Sequence, residues 1–253
     1  MHIEKEYYKE GKGILQLGDC LDLMQEIPDN SIDLICADLP YGKTKNQFDV
    51  VIDPVKLWKE YWRITKPNAA IILFGQDKFT AMMMLSDPNH RYNLIWDKEL
   101  ISNPLNANRM PLRSHEDIMV FYKKLPTYNP QKIKGVPCHG RGKAVGEKQG
   151  DRIKNQNYGD FKVMETVGDM KHPKSILKFQ KPHPSRARHR TEKPVKLIEW
   201  VVKTYSNEGD IVMDNVTGSG TTGEACENTG RFYIIMEKNI IDFEIAKNRL
   251  NFN

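Results

Sequence analysis

The sequence has 253 residues, of which 39% are hydrophobic and 28% are charged, which is ordinary globular usage and excludes a disordered chain. No apolar run approaches the roughly 18 residues of a spanning helix, and residues 1–6 lack a signal-peptide core, so we expect a location in the cytoplasm. The four cysteines, at positions 20, 36, 138 and 226, are far apart, which excludes a zinc or disulfide framework and predicts no metal.

Positive charge is concentrated in one stretch of the chain. Residues 123–190 contain 17 of the 38 Lys and Arg residues but only 5 of the 33 Asp and Glu residues, so this stretch carries +12 and the remainder −7. A positive field beside an acidic body is typical of a surface that binds a polyanion such as nucleic acid. A solvated basic loop has the same composition, so motifs must decide between the two.

Seven short apolar runs predict the strands of one mostly parallel α/β sheet, with amphipathic helices between them. These runs are 13–17, 32–37, 69–74, 92–96, 117–122, 210–213 and 231–236. The clearest helices are 54–65 and 191–205, the latter with Thr191 as its cap and Pro194 in its first turn. From 125 to 190 the periodicity fades, which predicts an irregular insertion within a single domain formed by 1–124 and 191–253.

The first motif with chemical meaning is Asp38-Leu39-Pro40-Tyr41, directly after the predicted strand 32–37. Ligands of open α/β sheets bind at the carboxyl ends of strands. The Asp38 carboxylate and the Pro40 carbonyl suit both hydrogens of a base amino group, and accepting them would expose the nitrogen lone pair for methylation. Tyr41 offers a ring on which an extruded base can stack. A plain turn uses the same residue types, so a second motif is needed.

The second motif, DNVTGSGTT at 214–222, follows the predicted strand 210–213 and leads into a helix. Gly218 and Gly220 permit a tight turn, and N–H groups at the helix start can bind a carboxylate such as that of S-adenosylmethionine. Glu237 follows the last strand, where an acid can hold ribose hydroxyls. No lysine follows Gly220, which excludes a P-loop, although the loop also fits the pattern of a nicotinamide dehydrogenase.

The order of these motifs resembles the circularly permuted β group of DNA amino-methyltransferases over nearly the whole chain. GDCLD at 18–22 and HRTEKP at 189–194 are also similar to segments of that family. The resemblance implies a Rossmann-like, seven-stranded methyltransferase sheet, S-adenosylmethionine as the cofactor and double-stranded DNA as the partner. It leaves open whether a homodimer forms and whether a cognate restriction endonuclease exists.

The same resemblance implies a set of site residues. Asp38, Pro40 and Tyr41 would be catalytic. Cofactor contacts would come from Asp19, Cys20, Asp38, Thr191, Lys193, Asp214, Gly218, Ser219, Gly220, Thr221 and Glu237. In this family, Asp at the first tetrapeptide position goes mostly with adenine N6 and Ser with cytosine N4. We therefore expect an adenine-N6 enzyme, with cytosine N4 as the alternative.

The sequence departs from the family pattern at three places. Leu39 replaces a proline and is expected to be dispensable, and Arg190 also replaces a proline without a clear consequence. Asn215-Val216 stand where Pro-Phe is usual, so a catalytically impaired DNA-binding relative is a second alternative. A protein or RNA methyltransferase would usually begin the tetrapeptide with Asn.

The basic insertion 125–190 is interpreted as the target-recognition region, with Arg, Lys, Asn and Gln side chains entering the major groove. Cytosine-C5 enzymes attack the ring with a thiolate, and Pro137-Cys138 does occur here, but within this insertion the pair is interpreted as incidental. His172, His183 and His189 are interpreted as phosphate contacts or loop residues rather than metal ligands.

Overall fold

The computed structural model describes residues 5–42, 49–102, 104–138, 147–149, 152–155, 159–162, 168–181 and 192–252. The chain forms two compact units. Unit 1 comprises Met1–Asn129 with Lys174–Asn253, and unit 2 is Pro130–Pro173. Of the helices in the described ranges, none has the length and apolar character needed to cross a bilayer.

Unit 1 alternates strands and helices along most of its length. Its strands are β1 (Lys5–Lys9), β2 (Gly13–Leu17), β3 (Ile32–Ala37), β4 (Thr65–Gly75), β5 (His90–Ser102), β6 (Arg113–Phe121), β12 (Ile176–Lys178), β13 (Ile211–Asp214) and β14 (Phe232–Glu237). Its helices are α1 (Cys20–Leu23), α2 (Pro54–Ile64), α3 (Asp77–Ser86), α4 (Val195–Tyr205), α5 (Thr221–Thr229) and α6 (Ile240–Arg249), and single 3-10 turns occupy Met24–Glu26 and Pro104–Asn106.

These strands form one sheet in the order β1-β2-β14-β13-β3-β4-β6-β5-β12. Neighbours from β2 to β4 are parallel, whereas β6 runs antiparallel to both β4 and β5. All seven predicted strands are present. The sheet has nine described strands rather than seven because β1 and β12 extend its two edges. At three residues, β12 is too short to give a recognisable period.

Helices cover both faces of the sheet, because alternate residues of each central strand point to opposite sides. Leu34 and Cys36 of β3 join the core formed with α4, α5 and α6. Ile35 and Ala37 join a second core formed with α1, α2 and α3. Unit 1 is therefore a three-layer α/β/α structure in which the sheet is buried on both sides.

Helix α4 begins later than the sequence predicted. It starts at Val195, and Pro194 precedes it with extended backbone angles, φ −60° and ψ 129°. A residue before proline is disfavoured in the helical region, so Lys193 cannot be helical and the predicted start at 191 is wrong. Thr191, the predicted cap, lies outside the described residues.

Unit 2 contains short antiparallel strands where an irregular insertion was expected. They are β7 (Ile133–Cys138), β8 (Glu147–Gln149), β9 (Arg152–Asn155), β10 (Gly159–Lys162) and β11 (Gly168–Lys171). Strands β7 and β11 pair with each other, and β8, β9 and β10 form a separate three-stranded sheet. Most have only three or four residues and sit among Gly and Lys, so no hydrophobic alternation marks them in the sequence.

The chain leaves and re-enters unit 1 at two anchored points. The Asn129 N–H donates to the Thr204 carbonyl at 2.8 Å, and its side-chain amide donates to the Ser206 carbonyl at 3.0 Å. On return, the Ser175 carbonyl accepts from the Ile95 N–H at 2.8 Å. These bonds place residues 125–129 and 174–181 in unit 1, so the insertion is shorter than the predicted 125–190.

Candidate active site

Four neighbouring parallel strands end at the same edge of the sheet. At the end of each strand, or just after it, lies a residue singled out from the sequence. Asp19 lies just after β2, Glu237 ends β14, Asp214 ends β13 and Asp38 lies just after β3. The chain leaves β3 toward β4 on one side and leaves β13 toward β14 on the other. The β3–β13 boundary is therefore a topological switch point, which is where open α/β sheets bind ligands.

A pocket lies at this boundary, and residues of both motifs line it. Asp38 comes from the first motif, and Asp214, Gly218 and Thr221 come from the second. Lys193, from the segment before α4, completes the polar wall. The two motifs, read independently in the sequence, thus share one pocket.

Both oxygens of the Asp38 carboxylate are held in place. The Tyr41 hydroxyl donates to Oδ1 at 2.7 Å, and the Lys193 ammonium donates to Oδ2. The Asp38 side chain remains 28% exposed. Because an ionised carboxylate offers about four lone-pair sites, it keeps acceptor capacity for a ligand while its orientation is fixed.

Tyr41 is half-buried, and its ring packs against Phe79 with centroids 4.7 Å apart and planes inclined at 33°. Burial, together with the neighbouring Asp38 carboxylate, raises the pKa of Tyr41 well above its usual value. The hydroxyl therefore stays protonated and remains a donor to Asp38. This orienting contact is additional to the predicted role of the ring in stacking a base.

Leu39 has a packing role that the sequence did not indicate. Its side chain is 4% exposed and belongs to the core on the α1–α3 side of the sheet. The flanking Asp38 and Pro40 are half-buried. Leu39 therefore attaches the tetrapeptide to the core by hydrophobic burial. Its side chain has no part in the proposed chemistry, so the motif gave no sign of this packing role.

A row of buried charges stands behind Asp38. Lys193 lies 3.1 Å from Glu116 on β6, and the other Glu116 oxygen pairs with Lys98 on β5. Burial alone would raise the pKa of Glu116, but the two ammonium groups outweigh it and lower that pKa to about 2. Burial likewise opposes the charge on Lys193, yet Asp38 and Glu116 hold its pKa above the ordinary value.

The glycine loop is built around the Asp214 carboxylate. This group accepts from the Val216 N–H at 3.1 Å and from the Thr222 hydroxyl at 2.6 Å. Burial raises the pKa of Asp214 to about 7. Gly218 and Gly220 adopt positive φ angles of 54° and 78°, which the loop requires and which glycine adopts without strain.

The N–H groups of the two loop glycines already have acceptors. The Gly218 N–H donates to Glu237 Oε2 at 2.8 Å, and the Gly220 N–H donates to the Thr217 carbonyl at 3.1 Å. The first N–H groups of α5, beginning at Thr221, have no partner within the helix because of helix geometry. The N–H groups available to a ligand are therefore those at the start of α5.

Asp19, Cys20 and Glu237 lie at the neighbouring strand ends, outside the residues that line the pocket. Asp19 caps α1 by accepting from the Leu21 N–H at 3.0 Å, and its second oxygen pairs with Lys238 at 2.8 Å. The Cys20 thiol is buried in the core, which raises its pKa to about 11 and keeps it protonated at neutral pH.

Arg249, near the end of α6, was missed by the sequence reading. Its side chain is 2% exposed and donates to the Ser219 hydroxyl at 3.1 Å and to the Thr221 hydroxyl at 2.9 Å. It also pairs with Glu192 at 2.8 Å and with Glu224 at 2.5 Å. One guanidinium thus connects the glycine loop, the segment before α4 and the last helix.

Asn215 is structurally accommodated where the family usually has proline. Its side chain is buried, and Oδ1 accepts from the Tyr61 hydroxyl at 2.6 Å. Val216 follows and lines the pocket in place of the usual phenylalanine. The side-chain oxygen of Asn215 therefore has a matching donor, whereas its buried Nδ2 has no hydrogen-bond partner among the described residues.

Comparison with known families decides the identity of the chain. The N6_N4_Mtase family model, described as DNA methylase, matches residues 32–248. The chain belongs to this family of DNA methylases. The match spans the tetrapeptide, the glycine loop and unit 2, so the prediction of a DNA methyltransferase is confirmed.

Curated relatives of the DNA methylase align over most of its length. It is 28% identical over 246 residues to the Type II methyltransferase M.HpaI of Haemophilus parainfluenzae, covering 92% of this chain and 72% of that protein. It is also 28% identical to the DNA adenine methyltransferase YhdJ of Escherichia coli strain K12, with 96% and 83% covered. Against M.BamHI of Bacillus amyloliquefaciens, again at 28% identity, it spans 97% of this chain but 59% of that protein.

Solved structures resemble the DNA methylase in fold. The M1.HpyAVI–SAM complex superposes with a TM-score of 0.60 at 23% identity, covering 93% of this chain and 98% of that one. The cytosine-N4-specific PvuII DNA methyltransferase superposes with a TM-score of 0.69 at 16% identity, covering 98% and 90%. The expected Rossmann-like methyltransferase fold is confirmed.

Proposed function

We propose that this DNA methylase transfers a methyl group from S-adenosylmethionine to adenine N6 of a base flipped out of duplex DNA, and that it belongs to the β group. The observation that carries the proposal is the arrangement of Asp38. Its carboxylate is held on two sides, by Tyr41 and Lys193, and faces the pocket that the glycine loop also lines. Methyl donor and acceptor can therefore meet at one place.

The residues of the pocket fit a polar cofactor with a carboxylate end. The Thr217 hydroxyl lines the pocket, is buried, and has no hydrogen-bond partner among the described residues. A buried hydroxyl of this kind is normally satisfied by a ligand or water. The start of α5 would receive the carboxylate. Glu237 and Asp19 would bind the ribose and adenine parts from the neighbouring strand ends. When bound, S-adenosylmethionine supplies an electrophilic methyl group.

The acceptor side of the reaction depends on two fixed oxygens. The Asp38 carboxylate and the Pro40 carbonyl would accept the two hydrogens of the amino group, which draws its nitrogen toward tetrahedral geometry and exposes the lone pair. Tyr41 and Lys193 keep the carboxylate from rotating, so little reorganisation is needed when the base arrives. The nitrogen would bond to the methyl carbon as the sulfur–carbon bond breaks, S-adenosylhomocysteine would leave, and one amino proton would be lost to solvent, so no covalent protein intermediate is required.

Two alternatives have distinct outcomes. Cytosine N4 presents the same kind of amino group, and only the base that is methylated separates the two enzymes. A catalytically impaired relative would bind DNA without using the cofactor. The lining of one pocket by residues of both motifs supports an active enzyme.

The test is methyl transfer from radiolabelled S-adenosylmethionine to unmethylated genomic DNA, followed by nucleoside mass spectrometry. We expect N6-methyladenine from the wild type. Asp38→Ala should lower the rate by at least about a hundredfold, the scale of removing a group that stabilises developing charge, with cofactor affinity nearly unchanged. N4-methylcytosine would replace the adenine assignment, and substantial turnover by Asp38→Ala would overturn the role of Asp38.

We also propose that unit 2 contacts the target DNA and that the enzyme acts in the cytoplasm, where its substrate lies. Unit 2 contains nine Lys and Arg residues against five Asp and Glu residues, a net charge of +4, and this supports the first part because phosphate neutralisation dominates DNA affinity. Homodimerisation and a cognate restriction endonuclease are compatible with this function, but it does not require them.

A further inference from the structure

Two buried charged residues behind the pocket, Glu116 and Lys98, have no role in the reaction as described so far. Glu116 lies between two ammonium groups, with Lys193 3.1 Å from Oε2 and Lys98 paired with Oε1. Beyond Lys193 lies the Asp38 carboxylate. The charges along this row therefore alternate in sign from Asp38 to Lys98.

The row is almost completely removed from water. The side chains of Lys193, Glu116 and Lys98 are 9%, 8% and 3% exposed. The Lys193 ammonium also lies over the ring of Phe74, 5.2 Å from its centroid, and over that of Trp96 at 5.9 Å. Charges in such surroundings are tolerated only when each is paired, since removal of one partner leaves an uncompensated buried charge.

The backbone positions of the row lie in or directly beside strands and a helix. Glu116 on β6 lies opposite Trp96 on β5 in the antiparallel register. Lys98 follows Trp96 by two residues, so it lies on the same face of β5. Pro194 fixes the chain directly after Lys193, and α4 begins one residue later. Glu116 and Lys98 are therefore placed by the sheet, and Lys193 is placed by its position two residues before α4.

We propose that Glu116 is a positioning residue for methyl transfer. It supplies the anion that holds Lys193 between two carboxylates and so keeps the ammonium on Asp38. Without that charge, Lys193 would keep one partner and would face the ammonium of Lys98 with no anion between them. The orientation of the Asp38 carboxylate would then be lost. The inference deepens the proposed function and rests on it.

The experiment compares Glu116→Gln with the wild type, because glutamine keeps the size of the side chain and removes its charge. Single-turnover methyl transfer to unmethylated genomic DNA is measured, together with the dissociation constants of S-adenosylmethionine and of DNA. We expect the transfer rate to fall by about tenfold to a hundredfold, the effect of displacing a catalytic group by about an ångström. Both dissociation constants should stay within about twofold, a difference below 0.5 kcal/mol.

Glu199→Gln is the matched control. Glu199 on α4 is as buried as Glu116 and is also paired with a lysine, Lys196 at 2.9 Å, but it has no contact with the row. Its substitution should leave the transfer rate unchanged. Thermal denaturation of both variants establishes that each is folded at the assay temperature.

A second readout needs no turnover. Acetylation of lysines by acetic anhydride, followed by peptide mass spectrometry, should modify Lys193 and Lys98 several-fold faster in Glu116→Gln than in the wild type. Exposed Lys56 and Lys59 on α2 serve as internal references. Unchanged protection of Lys193 would overturn the inference, whatever the enzyme methylates.

The double variant separates positioning from general structural damage. If Glu116 acts through Lys193, Glu116→Gln should have no further effect on the rate in a Lys193→Met background. Additive losses would overturn the inference. The proposed function fails separately, if the wild type transfers no methyl group to DNA while the Lys193 labelling still responds to Glu116→Gln.

Discussion

The ammonium of Lys193 hydrogen-bonds the carboxylate of Asp38, although the two residues are 155 positions apart in the chain. The family resemblance implied that Lys193 encloses the cofactor. Its side chain does line the pocket, but its charge is directed to the group that would accept the target amino hydrogens. The contact joins the two halves of the site.

Gly220 and Gly218 should respond differently to alanine. A Cβ at Gly220 would lie 3.1 Å from the Cβ and 3.2 Å from the Cα of Ala246 on α6, whereas a Cβ at Gly218 would meet nothing within 4 Å. Both have positive φ, which costs a non-glycine residue roughly 1–2 kcal/mol. In urea denaturation, Gly220→Ala should therefore lower the free energy of unfolding more than Gly218→Ala.

Calorimetric titration of the same variants with S-adenosylmethionine tests the loop as a cofactor site. Displacement of α6 from the loop should abolish binding in Gly220→Ala and in any bulkier replacement. Binding at wild-type affinity by the Gly220 variant would make the loop purely structural. In the urea experiment, an equal loss in the free energy of unfolding for Gly220→Ala and Gly218→Ala would contradict the expected clash with Ala246.

Arg249→Met should weaken cofactor binding without touching the pocket itself. The substitution removes the donor to the Ser219 and Thr221 hydroxyls and leaves Glu192 without this ion-pair partner. Breaking such a buried pair costs roughly 3–5 kcal/mol. We expect a lower melting temperature, measured by circular dichroism, and a higher dissociation constant for S-adenosylmethionine.

Arg249→Lys distinguishes charge from geometry at this position. Lysine keeps the positive charge but lacks the planar fork that reaches several acceptors at once. The lysine variant should recover part of the stability and little of the cofactor affinity. Full recovery of both would show that charge alone suffices.

Stability should fall as the pH rises from about 4 to 7 through the contribution of Asp214. Burial raises the pKa of Asp214 from 3.8 to about 7 in the folded protein. Between these two values the unfolded chain is ionised while the folded protein keeps the proton, so the free energy of unfolding falls as the pH rises. Above pH 7 the contribution is constant. Urea denaturation at pH 5 and pH 8 should show a smaller pH dependence for Asp214→Asn than for the wild type.

Glu237 acts in the same direction, because burial also raises its pKa. A residual slope is therefore expected in the Asp214→Asn protein. If the variant and the wild type lose equal stability between pH 5 and pH 8, Asp214 is not the group that titrates.

Reversing charge in unit 2 should weaken DNA binding and reduce its salt dependence. Lys132 and Lys134 are exposed there, the latter loosely paired with Asp169 at 3.7 Å. The logarithm of DNA affinity falls linearly with the logarithm of salt concentration, and each lost phosphate contact makes that slope shallower by about 1. Fluorescence anisotropy of labelled DNA at several salt concentrations should show this for Lys132→Glu with Lys134→Glu.

The control for that experiment is Lys56→Glu with Lys59→Glu on α2, which changes the net charge equally in exposed positions of unit 1. Its salt slope should match the wild type. An equal loss in both pairs would mean that overall charge, rather than unit 2, governs DNA binding.

The sequence predicted two kinds of feature: strands with enough residues to show an apolar pattern, and motifs made of consecutive residues. All seven central strands were identified, and both motifs were placed at strand ends, because strand–turn signals are contained in a few neighbouring residues. The short strands of unit 2 and β12 have too few residues to show a period. Helix 191–205 was predicted to start too early, since the effect of Pro194 on Lys193 was overlooked.

The charged contacts around the site were out of reach for a different reason. Glu116, Lys98 and Arg249 occur singly, with no spacing that connects them to a motif. Their partners come from other strands or from the segment before α4. The available signal was Glu116 next to the apolar run 117–122, where a charge entering a buried strand requires a partner.

The anchoring of Asn129 and Ser175 has a consequence for how such enzymes diversify. Both anchors bond to backbone groups of unit 1, so residues 130–173 are inserted between two fixed points. Doubling the length of an insertion adds only about 0.6 kcal/mol of closure entropy. Related chains can therefore exchange or lengthen this segment while the sheet of unit 1 keeps its stability. If unit 2 contacts DNA as proposed, such exchanges would change the recognition sequence.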